Sequence, residues 1–157
     1  MTQLFHFEPQ PDAPIICDFA GATDTPDERL AECGRLFQTA LVSRHRTPDS
    51  AILTFAPEEG VAAWIADLAA REAACCPFMK FDVSADETEI RWETSGGPEI
   101  QPILDEYYTM YEAAARSTEE LLSRLATRGF DVHATGPTRY EYVRPEGRPA
   151  DEANQRD

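Results

Sequence analysis

Short apolar runs alternate along this chain with longer segments in which apolar residues recur every three or four positions. The runs 14–19 and 51–55 contain β-branched residues and predict two strands. Apolar and polar residues alternate over 79–84 and over 90–94, which predicts two further strands that each bury one face. Prolines and acidic residues in 1–13 predict an irregular arm before the first strand.

The segments with helical spacing carry recognisable start and stop signals. A Thr-Pro-Asp-Glu capping box and the apolar spacing behind it predict a first helix over 26–46. A second helix is predicted over 57–76, because Pro77 disfavours helical geometry in the residue before it. A third helix is expected to begin at Pro98, and a second capping box predicts a fresh helix start before Leu121.

The predicted order β-α-β-α-β-β-α indicates an α+β fold: one mixed sheet with helices packed on one face, followed by a C-terminal helical extension. We expect the main domain at 12–105. The extension at 106–144 would pack on this domain, with two short strands near 130–133 and 139–143. The polar, proline-containing stretch 145–157 predicts a disordered tail.

Charge and composition restrict the classes of partner. The 29 Asp and Glu residues outnumber the 14 Lys and Arg residues and give a net charge of −15. Nucleic acids and anionic membranes both attract basic surfaces, so neither is an expected partner. No apolar run approaches a bilayer-spanning length, and the first residues lack the basic region of an export signal, so we expect a cytoplasmic protein. No glycine-rich phosphate loop is present, so no nucleotide cofactor is expected.

The four cysteines carry the most informative chemistry. Cys75 and Cys76 are adjacent, and a disulfide between them would close a strained ring. Without an export signal or well-spaced pairs, the pattern predicts reduced thiols. Cys33 lies on an apolar helix face, where packing in the core explains it.

The position of the adjacent pair favours a metal ligand over an activated nucleophile. Cys75 and Cys76 end the predicted second helix, where the helix dipole and Glu72, one turn back, both oppose a thiolate. A coordinated soft ion reverses this effect, because coordination deprotonates the thiol. We therefore predict that Cys75 and Cys76 chelate an ion such as Hg(II), As(III), Cu(I) or Zn(II). Cys17 is the predicted third thiolate, and Asp18 or Glu72 would tune the site.

The residues around these cysteines resemble a known bacterial domain. Cys17 on the first strand, the stretch 72–78 (Glu-Ala-Ala-Cys-Cys-Pro-Phe) and the strand pair that follows are similar to a small vicinal-cysteine (ExxCCPF) domain. That domain resembles the extensions of some mercury-resistance-type regulators and stand-alone proteins encoded near heavy-metal-resistance genes. The resemblance covers about 12–105 and implies thiol-based metal or metalloid binding for sensing, sequestration or delivery. This chain departs from it by the continuation after Leu104 and by lacking a DNA-binding helix-turn-helix.

The same residues leave an enzymatic alternative open. Two thiolates could hold an organometal while Asp18 protonates the leaving carbon, or Cys75 could attack a disulfide while Cys76 resolves the intermediate. In both forms the candidate catalytic residues are Cys75, Cys76 and Asp18. His6 or His133 could add a nitrogen donor to a metal site.

A third alternative is a small-molecule or protein interaction module in which the cysteines only pack. Tyr107, Tyr108 and Tyr111 recur along the third predicted helix and could line a ligand pocket. The C-terminal helix is also a candidate face for a homodimer. The sequence does not show whether Cys17 or Cys33 approaches the adjacent pair.

Overall fold

The computed structural model describes residues 2–113 and 117–142, with only the backbone described at 110–113. This part of the chain contains four α-helices and eight strands in two antiparallel sheets, which confirms the predicted α+β class. The tail predicted at 145–157 and the side chain of Tyr111 lie outside the described residues.

The elements follow one another with short connections. In chain order they are β1 (Gln3–Phe7), β2 (Ile16–Asp18), α1 (Pro26–Ala40), β3 (Leu41–Arg46), β4 (Ser50–Phe55), α2 (Val61–Cys75), β5 (Lys80–Ala85), β6 (Ile90–Ser95), α3 (Gln101–Ala113), α4 (Thr118–Thr127), β7 (Val132–Ala134) and β8 (Arg139–Tyr142), with one 3₁₀ turn (Pro98–Ile100) before α3.

The main sheet has the strand order β1-β5-β6-β4-β3, and each neighbouring pair is antiparallel. The predicted alternation is present: Phe81 and Val83 of β5 and Trp92 of β6 are buried, whereas the residues between them are partly or fully exposed. Helices α1, α2 and α3 add their apolar stripes to the same core, which explains why one face of the sheet is apolar and the other polar.

The smaller sheet has the order β2-β8-β7. We predicted that Cys17 lies on a strand of a single sheet. That detail is wrong, because β2 pairs with β8 from the C-terminal extension, with Cys17 opposite Tyr140. The first predicted strand and the extension therefore build one sheet, and the proposed boundary at residue 105 falls inside α3.

Helix α4 and the smaller sheet lie over α1 and α3, and we refer to them together as the covering layer. Asp27 of α1 accepts hydrogen bonds from the backbone N–H and the hydroxyl of Thr118, at 2.7 and 2.6 Å. The buried Glu106 of α3 forms ion pairs with Arg124 and Arg128, both at 3.0 Å. These contacts hold the covering layer against the main body.

Two strands were not predicted. The arm expected at 1–13 contains β1, which pairs with β5 at the sheet edge; its partly buried Phe5 and Phe7 alternate with the exposed Leu4 and His6. The first helix ends at Ala40, and Leu41 starts β3, so the helix predicted to continue to Arg46 is wrong there. No glycine or proline marks this change, and the hairpin with β4 provides the hydrogen bonds that favour a strand.

None of the helices within the described residues combines the length and the apolar character required to cross a membrane.

Candidate thiol site and adjoining cavity

Cys17 and Cys76 come together at the junction of the two sheets. Cys17 is the middle residue of β2, and Cys76 is the first residue beyond α2. The N–H of Cys76 still donates to the carbonyl oxygen of Glu72 at 2.8 Å, but its backbone has left helical geometry, as expected before Pro77. The two sulfur atoms form a disulfide, with the Cα atoms 4.5 Å apart.

The expectation of four reduced thiols is therefore wrong for this structure. One disulfide joins Cys17 to Cys76, and Cys33 and Cys75 are free and buried. Cys17 was predicted to approach the adjacent cysteines as a third thiolate; it does approach Cys76, but in a disulfide. Cys17 was the correct partner to consider, because β2 lies beside the end of α2.

Cys75 lies in a different environment from its neighbour. As the last residue of α2 it is 4% exposed, and its sulfur accepts a long contact from Nη2 of Arg29 at 3.8 Å. Burial raises the pKa of the Cys75 thiol, against the opposite effect of the Arg29 charge. Burial likewise raises the pKa of Cys33, well beyond the range in which it could ionise near neutral pH. Both free thiols are therefore protonated at neutral pH.

Arg29 organises the polar side of the site and was not identified from the sequence. It is 2% exposed, and its guanidinium donates to both carboxylate oxygens of Asp24, at 2.6 and 2.7 Å. It also stacks on Phe19, with 4.8 Å from its central carbon to the ring centroid. The sequence contains a signal for its burial, because Arg29 lies at helical spacing from the buried residues 33, 36, 37 and 40 of α1.

A second arginine extends this network towards the surface. Arg71 donates to Asp24 at 2.9 Å and to Glu32 at 2.8 and 3.0 Å. Glu32 also accepts a hydrogen bond from the indole N–H of Trp64 at 2.7 Å. Hydrogen bonds from Arg29 lower the pKa of Asp24, and those from Arg71 lower the pKa of Glu32. Both carboxylates are therefore ionised at neutral pH.

Glu72 is the acidic residue at the thiol site. It is buried, lies 3.8 Å from Nη1 of Arg29, and accepts a hydrogen bond from Tyr107. Burial raises the pKa of its carboxyl despite the nearby arginine. The same environment raises the pKa of the Tyr107 hydroxyl. This pair therefore favours the neutral, hydrogen-bonded forms over buried charges.

Asp18 does not occupy the position expected for a tuning or proton-donating group. Its side chain is exposed, and its Oδ1 accepts a hydrogen bond from the backbone N–H of Ala20 at 2.9 Å. Neighbouring residues on a strand point to opposite faces, so Asp18 turns away when Cys17 faces the cavity. Of the two acidic candidates, only Glu72 lines the cavity beside the disulfide.

A cavity of about 150 Å³ separates the covering layer from the main body. The disulfide forms part of its wall, and most of the remaining wall is apolar. The lining side chains are Ile15, Cys17, Phe19, Pro26, Arg29, Leu30, Cys33, Glu72, Cys76, Phe78, Met79, Ile103, Glu106, Tyr107, Thr118, Leu121, Leu122, Leu125, Phe130, Val132, Tyr140 and Tyr142.

The two candidate histidines, His6 and His133, have acidic partners and are not among the residues that line the cavity. His6 on β1 contacts Asp82 and pairs with Glu8 at 2.6 Å, and His133 pairs with Asp131 at 2.9 Å; neither lines the cavity. Within the described residues, no group of three or more His, Cys, Asp or Glu side chains is arranged to hold a metal ion. Of the three predicted ligands, Cys17 and Cys76 are joined in the disulfide and Cys75 contacts Arg29, and their role as metal ligands stays a prediction.

Comparisons with protein-family models, curated proteins and solved structures gave no significant match to this chain.

Proposed function

We propose that the reduced protein binds a soft metal or metalloid ion through the thiolates of Cys17 and Cys76. One observation supports this most directly: two sulfur atoms from residues 59 positions apart meet at the wall of a largely apolar cavity. Soft ions select thiolate ligands, and two thiolates are enough for ions that accept linear coordination, such as Hg(II). Each bound ion displaces two thiol protons, so the bound group is neutral for a divalent ion.

The surroundings favour this neutral product. A pair of free thiolates in the largely apolar wall would be costly, especially beside the carboxylate of Glu106 and with a net charge of −15. A divalent ion bound by two thiolates removes both charges. For ions that prefer three sulfur ligands, such as As(III), Cys75 is the proposed third thiolate. Its sulfur would have to leave the Arg29 contact to take part.

Sensing, sequestration and delivery all remain within this proposal. The resemblance of the stretch 72–78 to vicinal-cysteine domains beside metal-resistance genes favours a role in metal resistance. The ion is the cargo of the protein in this proposal.

Titration of the fully reduced protein with Hg(II) tests the proposal. An excess of a competing monothiol makes the assay specific for chelation, and the thiolate-to-metal absorbance reports binding. We expect one ion per chain, and a loss of at least about a hundredfold in affinity for Cys17→Ser and for Cys76→Ser. Cys33→Ala is the matched control, since Cys33 is a buried thiol on another element. Parent-like affinity in Cys17→Ser or Cys76→Ser would refute the proposal.

The same titration with As(III) determines the role of Cys75. If Cys75 is the third thiolate, Cys75→Ser weakens As(III) binding strongly and Hg(II) binding only slightly. Equal As(III) affinity in Cys75→Ser and parent would exclude it from the ligand set.

The disulfide favours thiol redox as a second candidate function. The original assignment, with Cys75 attacking and Cys76 resolving, does not match the structure, because Cys76 is bonded to Cys17 and Cys75 is buried and protonated. In the revised form the Cys17–Cys76 disulfide accepts two electrons from a substrate dithiol. The protein becomes a dithiol, and the substrate becomes a disulfide. Metal-free turnover of a dithiol with a disulfide oxidant, lost in Cys76→Ser, would favour this function over metal binding.

A further inference from the structure

We propose that the cavity beneath the covering layer is a binding site for a small, uncharged aromatic molecule that carries one hydrogen-bond acceptor. The disulfide lies in the wall of this cavity, but the proposed ligand contacts the apolar walls and Arg29 and requires no free thiol, so its binding can be measured on the oxidised protein.

The size and the walls of the cavity define the body of the ligand. A volume of about 150 Å³ matches that of an apolar protein cavity known to admit benzene, so a single ring with a small substituent fits. Aromatic side chains surround the space: Phe19, Phe78, Phe130, Tyr140 and Tyr142 all line it, and the rings of Phe130 and Tyr142 stack with centroids 4.4 Å apart. Ring edges and faces offer favourable partners to an aromatic ligand.

Arg29 supplies the polar contact. It lines the cavity, and its Nη1 is a buried donor without a hydrogen-bond partner among the described residues. The carboxylate of Glu72 is 3.8 Å from this nitrogen, which is too long for a hydrogen bond. A buried donor left unsatisfied is costly, so a ligand oxygen that accepts from Nη1 recovers this energy.

The charges around the cavity favour a neutral acceptor over a carboxylate ligand. Asp24 already neutralises Arg29 through two short hydrogen bonds. Glu106, which is held in ion pairs with Arg124 and Arg128, also lines the space, and a ligand carboxylate would be buried beside this anion. A ketone, ether or amide oxygen satisfies Nη1 without that cost.

Three probes of similar size test the proposal on the oxidised, metal-free protein. Acetophenone has the ring and the neutral acceptor, isopropylbenzene has the ring alone, and benzoate has a charged acceptor. Calorimetry or ligand-observed NMR should rank acetophenone first, by about fivefold to tenfold over isopropylbenzene, which is the gain from satisfying one buried donor. Benzoate should bind most weakly. Equal affinities for acetophenone and isopropylbenzene, or tightest binding of benzoate, would overturn the assigned ligand class.

A cavity-filling variant tests the location. Leu122→Trp, on α4, should reduce acetophenone affinity at least tenfold, because the indole occupies the ligand space. Leu4→Trp is the matched control, since Leu4 is 75% exposed on β1 and does not line the cavity. Unchanged affinity in Leu122→Trp, or no binding of any probe to the folded parent, would overturn the site. Metal titration of the reduced parent is scored separately, so failure of one proposal does not imply failure of the other.

The role of Arg29 is tested by Arg29→Lys, which keeps the charge but not the planar donor set. We expect acetophenone affinity to fall to that of isopropylbenzene, while isopropylbenzene itself is unaffected. If acetophenone keeps its advantage in a folded Arg29→Lys protein, the assigned hydrogen bond is wrong. If this variant does not fold, the three probes and Leu122→Trp still decide the proposal.

Discussion

The two sheets of this protein differ in how their side chains are buried. In the main sheet, β5 and β6 alternate between buried and more exposed residues, and their buried side chains join one continuous core with α1, α2 and α3. In the smaller sheet, no strand residue is fully buried, and the strands span only three or four residues. The disulfide and the cavity lie between the well-packed main core and the loosely packed smaller sheet. Ligand-binding regions of proteins commonly include the less stable parts of the structure.

The largest expected effect comes from the main core. Phe81→Ala, at a position that is fully buried, should lower the free energy of unfolding by about 3–5 kcal/mol. Tyr142→Ala, at a half-buried position of the smaller sheet, should cost only about 1 kcal/mol. Chemical denaturation of both variants measures the difference. If Tyr142→Ala is the more destabilising change, the proposed contrast between the sheets is wrong.

Reduction of the disulfide should affect the smaller sheet more than the main one. The bond closes a loop between residues 59 positions apart, and opening such a loop costs about 4 kcal/mol in the chain-entropy model. Since Cys17 belongs to β2, amide hydrogen exchange should accelerate in β2, β7 and β8 before it does in β5 and β6. Cys17→Ser should behave like the reduced parent. Uniform acceleration across both sheets would show that the two regions unfold as one unit.

The ion pair between Asp24 and Arg29 should make the free energy of unfolding depend on pH. The pKa of Asp24 is lowered by its hydrogen bonds to Arg29. The unfolded state therefore binds the proton more readily, and this stabilisation is present above the ordinary Asp pKa of about 4 and is lost as the pH falls through the lower, folded value. Asp24→Asn should cost about 2 kcal/mol at neutral pH and remove this part of the acid sensitivity. This contribution is measured by comparing the denaturation midpoints of the parent and the variant from neutral to strongly acidic pH. If both midpoints change with pH by the same amount, Asp24 is not the source of the acid sensitivity.

The smallest effect is expected at the edge of the main sheet. The pKa of His6 is raised by its contact with Asp82 and its pair with Glu8. A raised histidine pKa stabilises the folded state fully below the ordinary value of about 6.5, and this contribution disappears as the pH rises through the folded value. Above neutral pH, hydrogen exchange at the β1 amides should therefore accelerate by more than the ordinary base-catalysed increase in exchange rate. In His6→Gln, amide exchange in β1 should rise only by the ordinary base-catalysed amount. If the variant shows the same additional acceleration as the parent, His6 is not the cause of that acceleration.

Strong periodic signals predicted the main core well. The alternation at Phe81 and Val83 and at Trp92 predicted the strands and their buried face, and the capping box of α1 is present with Thr25 and Glu28. The strand β3 was missed because Leu41 continues the helical spacing, and only pairing with β4 decides its conformation. Strand β1 was missed because its alternation is short and stands beside prolines. Long-range pairing overrode local preference in both cases.

The candidate site was predicted only in part, because its geometry depends on contacts between distant segments. The adjacent cysteines and Pro77 indicated a helix end, and Cys17 was the correct partner to consider. The sequence could not show that Cys75 and Cys76 face different surroundings, since this follows from the exact backbone turn at the end of α2. Arg29 was overlooked because arginine is rarely buried, and its counter-ion Asp24 lies outside the helix.

The pairing of β2 with β8 has a consequence for synthesis on the ribosome. Asp18 and Thr138, which meet beside these strands, are 120 positions apart, and the chain emerges from its N-terminus. The five strands of the larger sheet are therefore translated in full while Cys17 still lacks its neighbouring strand. Until residues 139–142 are synthesised, no neighbouring strand pairs with β2, and the Cys17 thiol is exposed to other thiols and to ions.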